Sequence, residues 1–399
     1  MLRFFLLLCT IFFPFAFLWA QEGKGKIVHE GEVLTGALQT KAYFPLLKGK
    51  RVGVVANHAS RLKETHLVDT LVASGIQVRK IFFPEHGFRG NEDAGQNLKS
   101  YQDPQTGITC ISLYGKDKKP SAQDMASLDI VLFDLQDVGV RFYTYISTLH
   151  FVMEACAENK KPLIVLDRPN PNGHYIDGPV LQTQAKSFVG LHPVPVVYGM
   201  TIGEYAQMIL GENWLSGGKK CSLKVIPLKN YDRNDFYQLP VRPSPNLPNM
   251  ASVYLYPSLC FFEGTIVSVG RGTPKPFQQF GYPGMKSNGY TFKPVSTPGA
   301  SLDPPYKGEE CSGFDVSFYG DMYMKYSRKL YLFWLLETYK NSGLKEKFFN
   351  PYFRNLAGND VLKEQIMSGK SEEEIRKTWA SDLQKFKEVR KKYLIYPDF

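Results

Sequence analysis

A chain of 399 residues with 48 Lys and Arg against 38 Asp and Glu has room for two domains with substantial cores and carries a net charge of +10. Of its six cysteines, Cys110, Cys156, Cys221, Cys260 and Cys311 lie beyond the first twenty residues, and none forms a Cys-x-x-Cys pair. That spacing argues against a zinc site and a disulfide framework, and Cys110, Cys156 and Cys260 read as buried thiols inside apolar runs. The basic excess suits an anionic substrate or cell-wall polymer, although much of it lies on one C-terminal helix surface.

Residues 1–20 read as a signal peptide: Arg3 gives the positive start, Phe4 to Leu18 the apolar core, and Ala20 a small residue before Gln21. The apolar run is short and is interrupted by Pro14, so cleavage is expected rather than retention as an anchor. No later run is long and apolar enough to span a bilayer. The mature protein is therefore expected to be exported, to the periplasm or the extracellular space, with no transmembrane span after signal cleavage. Nucleic acid is not an expected partner there, and oligomeric state is not legible.

From 27 to 228 short apolar runs alternate with amphipathic segments. Val52–Ala56, Val78–Phe83, Ile108–Leu113, Ile130–Leu135, Leu163–Leu166 and Leu223–Ile226 read as strands. Helices are expected at Glu64–Ser74, Gln123–Ser127, Tyr145–Ala157 and Ile202–Leu210. Strands without internal alternation, separated by helices, imply a doubly wound parallel α/β sheet covered on both faces. Residues 229–399 differ in texture and are taken as a smaller second domain. Pro243 to Pro257 is rich in Pro and Asn, Pro294 to Pro305 is a long loop, and Leu330 to Tyr339 is an aromatic helix. Ser371-Glu372-Glu373-Glu374 is a capping box ahead of a helix whose apolar face runs from Ile375 to Tyr393.

Ligands of such sheets bind outside the carboxyl ends of the strands. Polar residues gather at those ends. The first strand delivers Asn57, His58 and Ser60; the second delivers Pro84-Glu85-His86-Gly87-Phe88-Arg89-Gly90, with Glu92 and Asp93 close behind. The fourth runs into Gln136, Asp137, Arg141 and Tyr143, and the fifth into Asp167, Arg168 and Asn170. A carboxylate beside an imidazole on a turn past a strand end suits proton transfer. Ala56-Asn57-His58-Ala59 replaces the glycine-rich fingerprint, so no nucleotide is expected, and no cofactor of any other kind is implied. No Gly-x-Ser-x-Gly elbow exists. The histidines are scattered, so no metal is expected, although a metal-dependent hydrolase using Glu85, His86 and Asp137 stays open as an alternative.

Several of these stretches together resemble a known family. They are Pro84-Glu85-His86-Gly87-x-Arg89-Gly90, Phe133 to Tyr145, Asp167-Arg168-Pro169-Asn170-Pro171, Ser244-Pro245-Asn246 and Ser268 to Phe277. The resemblance is to the exo-acting β-N-acetylmuramidases of the NamZ type, and it runs from about Val33 to the C-terminal Tyr-Leu-Ile-Tyr. It implies a Rossmann-like catalytic domain over 27–228, a smaller α/β auxiliary domain over 229–399, and a site in the cleft between them. The implied reaction removes N-acetylmuramic acid from the non-reducing ends of peptidoglycan glycan fragments, so peptidoglycan-derived saccharides are the expected partners. Glu85 is the implied catalytic residue, with His86 tuning or orienting it. Gln96 departs from the pattern, since many members carry Glu after Ala-Gly.

Most glycosidases use two carboxylates, and Asp137, Asp93 and Glu92 are the candidates for the second, with Asp137 favoured because a strand end positions charge more rigidly. The substrate's own acetamido group is the other route. N-acetylmuramic acid carries a lactyl carboxylate, which a guanidinium can hold bidentately. Arg271, between two glycines, is the leading reader; Arg141 and Arg168 are the others, with an ion pair to Asp167 the competing reading for Arg168. Asn57, Arg89, Gln136, Tyr143, Asp167, Asn170 and Asn246 complete the expected substrate-binding set. A non-catalytic cell-wall glycan-binding protein is the remaining alternative.

Overall fold

A computed structural model describes residues 31–90 and 100–399. The expected signal peptide and Asp93, Glu92 and Gln96 therefore lie outside the described residues. Among those described, no helix is long and apolar enough to cross a membrane.

Seven strands form the central sheet: β1 (Arg51–Ala56), β2 (Gln77–Phe83), β3 (Tyr101–Gln102), β4 (Thr109–Ser112), β5 (Ile130–Asp134), β6 (Leu163–Leu166) and β7 (Leu223–Ile226). Their order is β3-β4-β2-β1-β5-β6-β7, parallel throughout except for the short edge strand β3, which runs antiparallel to β4. From β1 the chain winds outward through β2 to β4, then returns to β5 on the other side of β1 and continues to β6 and β7. That is the doubly wound arrangement, with its reversal between β1 and β5. Every residue of β5 and β6 is buried, as expected of strands covered on both faces. In register, Val55 of β1 lies between Phe82 of β2 and Phe133 of β5, and the pairing ends at Ala56 opposite Asp134.

The connecting helices carry the local signals that start them. Ser121 with Asp124, Thr201 with Glu204 and Ser371 with Glu374 each form a reciprocal capping box. The helix expected over Glu64–Ser74 is shorter. Arg61–Leu62 and Thr65–His66 pair as a small antiparallel hairpin, and the helix spans Leu67–Ala73. His66 causes the change. Its Nδ1 accepts from the Val68 N–H at 3.2 Å and its Nε2 bonds the Asn57 carbonyl at 2.8 Å, so its ring caps the helix. Burial holds this imidazole down to about 4, which keeps the neutral tautomer that both bonds require.

The C-terminal half adds a three-stranded antiparallel sheet of β8 (Gln279–Tyr282), β9 (Tyr290–Phe292) and β10 (Cys311–Asp315), in the order β8-β10-β9. It also contains a helix over Met250–Leu259, which overlaps the Pro- and Asn-rich stretch from Pro243 to Pro257. That helix is buried from Ala251 through Leu259, so no amphipathic period marks it. One hydrophobic core joins the two halves, running from Val55 and Phe133 through Tyr254 and Phe261 to Trp379 and Phe386. The five described cysteines are buried free thiols.

Candidate active site

A cavity of about 1060 Å³ opens past the carboxyl edge of the sheet, and the C-terminal half closes its other side. Pockets for small ligands run to roughly 1,000 Å³, so this one has room for more than a single sugar. The loop after β2 contributes Glu85 and His86, the loop after β4 Tyr114, Gly115 and Lys118, and the segment after β5 Phe142, Tyr143, Thr144 and Tyr145. From the other side come Asn246, Tyr256, Glu263, Arg271, Phe277, Tyr306 and Tyr352. Rings of Tyr143, Tyr256 and Phe277 meet edge-on, at 6.0 and 4.9 Å between centroids, and form a packed aromatic wall.

The turn that presents Glu85 is an unusual backbone. His86 and Gly87 both have positive φ, 70° and 76°. A left-handed conformation is uncommon for a residue with a side chain and collects at functional positions. It sends the chain sharply back from β2, leaving Glu85 half-exposed at the cavity while His86 is buried behind it. His86 Nε2 stands 3.3 Å from Ser244 Oγ, which ties this turn to the opposite half. Glu85 hydrogen-bonds the Tyr114 phenol; burial first, and then this carboxylate, push the phenol's ionisation well above its ordinary value. Tyr114 is thus a lasting proton donor beside Glu85. Arg271 lies within electrostatic reach of the same carboxylate.

Arg271 is already engaged. Its Nε donates to Glu263 Oε1 at 2.5 Å, and its guanidinium stacks 5.0 Å from the centre of the Phe277 ring. Flanked by Glu263 and Glu85, it has two carboxylates to neutralise before a third arrives. Glu263 and Glu85 are the two carboxylates that line the cavity among the described residues. Sequence reasoning missed Glu263, Tyr114, Lys118 and Tyr352. Glu263 sits in the apolar run Cys-Phe-Phe-Glu-Gly, and Tyr114 and Lys118 follow β4, which like β7 carries no strand-end motif among those singled out in the sequence.

Asp137 does not line the cavity. It is buried, and its Oδ2 accepts from the Gly139 N–H at 2.7 Å and from the Tyr198 hydroxyl. Burial raises its carboxyl to about 6. Arg141 is also fully buried and meets no carboxylate. Nη1 donates to the carbonyls of Pro179 and Val194 at 2.7 and 2.9 Å, and Nη2 to that of Leu356 at 2.8 Å, clamping the two halves together. Arg168 forms a two-pronged ion pair at 2.6 and 2.8 Å, with Asp134 rather than Asp167. Asp167 instead accepts from Thr201 Oγ1 at 2.8 Å, Tyr396 Oη at 2.6 Å, and the backbone N–H groups of Gly203 and Arg168. Arg89 bridges Asp69 and Asp103, at 2.9 and 2.8 Å, away from the cavity.

Three amides also act within the protein. Asn57 Nδ2 donates to Tyr145 Oη at 2.8 Å, Gln136 Nε2 to the carbonyls of Asp137 and Pro169, and Asn170 Nδ2 to that of Met200. Of the expected binding set, the cavity receives Tyr143, Asn246 and Arg271 together with Glu85 and His86. Tyr143 Oη donates to the Pro243 carbonyl, and Asn246 Nδ2 to that of Ala300. Among the described residues no three His, Cys, Asp or Glu side chains form a group able to hold a metal, and Asp137 is not among the residues that line the cavity with Glu85 and His86.

Fold and cavity together define a doubly wound α/β protein whose ligand cleft, with one glutamate and its phenol donor at the sheet edge, is completed by a second half. The chain belongs to the exo-β-N-acetylmuramidase NamZ family: the family's N-terminal profile matches residues 52–251 and its C-terminal profile residues 254–396. It is 40% identical over 397 aligned residues to the peptidoglycan β-N-acetylmuramidase NamZ of Bacillus subtilis, covering 94% of each chain. Two crystal structures of DUF1343 family proteins from Bacteroides fragilis share the fold. One superposes with a TM-score of 0.85 at 45% identity, covering 92% of this chain and all of the other. The second has a TM-score of 0.77 at 29% identity, over 92% and 99%.

Proposed function

We propose that this protein is an exported exo-β-N-acetylmuramidase, releasing N-acetylmuramic acid from the non-reducing ends of peptidoglycan glycan fragments. Family membership supplies the reaction class, and the observation that carries the site is Glu85, held by Tyr114 at a cavity sized for a saccharide. In this reading protonated Glu85 gives its proton to the glycosidic oxygen as the bond from that oxygen to the anomeric carbon breaks. The resulting carboxylate then takes a proton from the water that attacks the anomeric centre. His86, bonded to Ser244, fixes the turn that aims Glu85. Tyr143, Tyr256 and Phe277 offer apolar faces to sugar rings, and Asn246 a polar edge. Export to the periplasm or beyond rests on the first twenty residues alone.

The test is turnover of a disaccharide with muramic acid at its non-reducing end against one with glucosamine there, using wild type and Glu85→Gln. Wild type should release N-acetylmuramic acid from the first. Glu85→Gln should fold normally and lose at least ~10²-fold in turnover. Binding of both without turnover by wild type would instead support a glycan-binding protein, and near-normal turnover in the variant would remove Glu85 from the chemistry.

A further inference from the structure

The cavity contains two permanent cations among the described residues, Arg271 and Lys118, and they are differently placed. Arg271 is bonded to Glu263 at 2.5 Å and feels Glu85 as well, so its charge is already met by carboxylates of the protein. Lys118 has no such partner. It is half-buried, its ammonium stands 5.0 Å over the Phe188 ring, and no carboxylate among the described residues pairs with it. Its neighbour Lys119 shows the contrast, being paired with Glu154 and Glu158 at 3.6 and 3.0 Å. Lys118 also shares a loop with Tyr114, four residues away, and Tyr114 hydrogen-bonds Glu85. Four residues of chain span at most ~14 Å between Cα atoms, so Lys118 and Tyr114 enter the same cavity from one short stretch of its rim.

A cation half withdrawn from water, over an aromatic face, attracts an incoming anion more strongly than one already paired. The group that separates muramic acid from glucosamine is the lactyl ether on the sugar's third carbon, with its carboxylate. We infer that Lys118, rather than Arg271, is the specificity-determining residue that binds the lactyl carboxylate, with Phe188 holding the ammonium in place. The inference rests on the reading of this cavity as a muramic acid site. Arg271 then serves to position Glu263.

Lys118→Met and Lys118→Arg test this, with free N-acetylmuramic acid and its lactyl amide measured as competitive inhibitors beside turnover of the muramic-terminated disaccharide. Lys118→Met should weaken N-acetylmuramic acid by ~10- to 100-fold, the scale of a hydrogen bond to a charged group, and raise KM more than it lowers kcat. The uncharged lactyl amide should move less than ~3-fold, because it never used the charge. Lys118→Arg should restore most of the affinity for the acid. Unchanged inhibition by the acid in Lys118→Met, or equal weakening of acid and amide, would overturn the assignment. Failure of the wild type to cleave the disaccharide at all would instead sink the enzymatic reading, and direct calorimetric titration of the acid and its lactyl amide would still report on Lys118.

Discussion

Arg271 and Glu263 hold each other at 2.5 Å inside the cavity, and each comes from the C-terminal half. The pair faces Glu85, which is presented by the turn after β2 in the other half, so the two halves bring their charges to one place. A guanidinium so engaged positions a carboxylate before any substrate is present.

Arg271→Lys tests that reading directly. Lysine keeps the charge but loses the planar fork and the stacking over Phe277, so Glu263 is no longer held in one orientation. The expected result is a loss of about tenfold in kcat/KM, equal for substrates with and without the lactyl carboxylate. A loss confined to the lactyl-bearing substrate would return Arg271 to the role of carboxylate reader.

Asp137 gives a prediction about pH and stability. Its carboxyl ionises near 3.9 in an unfolded chain and at about 6 in the fold, because burial disfavours the anion. Between those values the native state binds the extra proton. Stability from this group is therefore present at low pH and lost as pH rises from about 4 through about 6, by up to about 3 kcal/mol. Asp137→Asn should flatten that part of the profile, measured as urea midpoints between pH 4.5 and 7.5. Since Asp137 does not line the cavity, turnover of the folded variant should fall less than ~10-fold. A loss of 10²-fold or more would make Asp137 a catalytic group after all.

The central sheet was legible because buried parallel strands are apolar throughout, and the Glu85 turn because proline, acid, imidazole and glycine stand together. The roles of the other strand-end residues were not. Asn57, Gln136, Asp167 and Asn170 occupy the positions where ligands are expected, yet their side chains hold the loops to one another. A buried loop must satisfy its backbone polar groups, and short amides and carboxylates do this as well as they bind sugars. One sequence does not separate the two uses. Glu263 escaped notice for the opposite reason, being a charge hidden in an apolar run whose neighbours are core.

Arg141 illustrates the same division and can be tested by stability. Its guanidinium is bonded to three carbonyls from three segments, one of them Leu356 near the end of the chain, and burial lowers its ionisation to about 9. Arg141→Met removes the donors: the Val194 carbonyl keeps the Leu181 N–H, but the Pro179 and Leu356 carbonyls lose their bonds while buried, each costing ~1–3 kcal/mol. A destabilisation of at least about 2 kcal/mol is expected in urea unfolding, with loss of the cooperative coupling between halves. A variant of wild-type stability and reduced substrate affinity would favour a binding role instead.

The group that meets the anomeric carbon is open to a last experiment. With Asp137 buried and absent from the cavity lining and Glu263 tied to Arg271, Glu85 shares the cavity with no unengaged carboxylate among the described residues. A glycosidase so arranged can use the substrate's acetamido oxygen as its nucleophile, and the ring so formed opens when water, giving a proton to Glu85, attacks the anomeric carbon. Replacing the acetamido group by hydroxyl should then abolish cleavage, while Glu263→Gln should retain turnover within about tenfold of wild type. Cleavage of the hydroxyl substrate at a comparable rate would reject acetamido participation. If Glu263→Gln alone were then inactive, with its fold intact, Glu263 would be the second carboxylate, and its distance from Glu85 in a saccharide complex would decide the stereochemistry: ~5–5.5 Å for retention, ~6.5–9.5 Å for inversion.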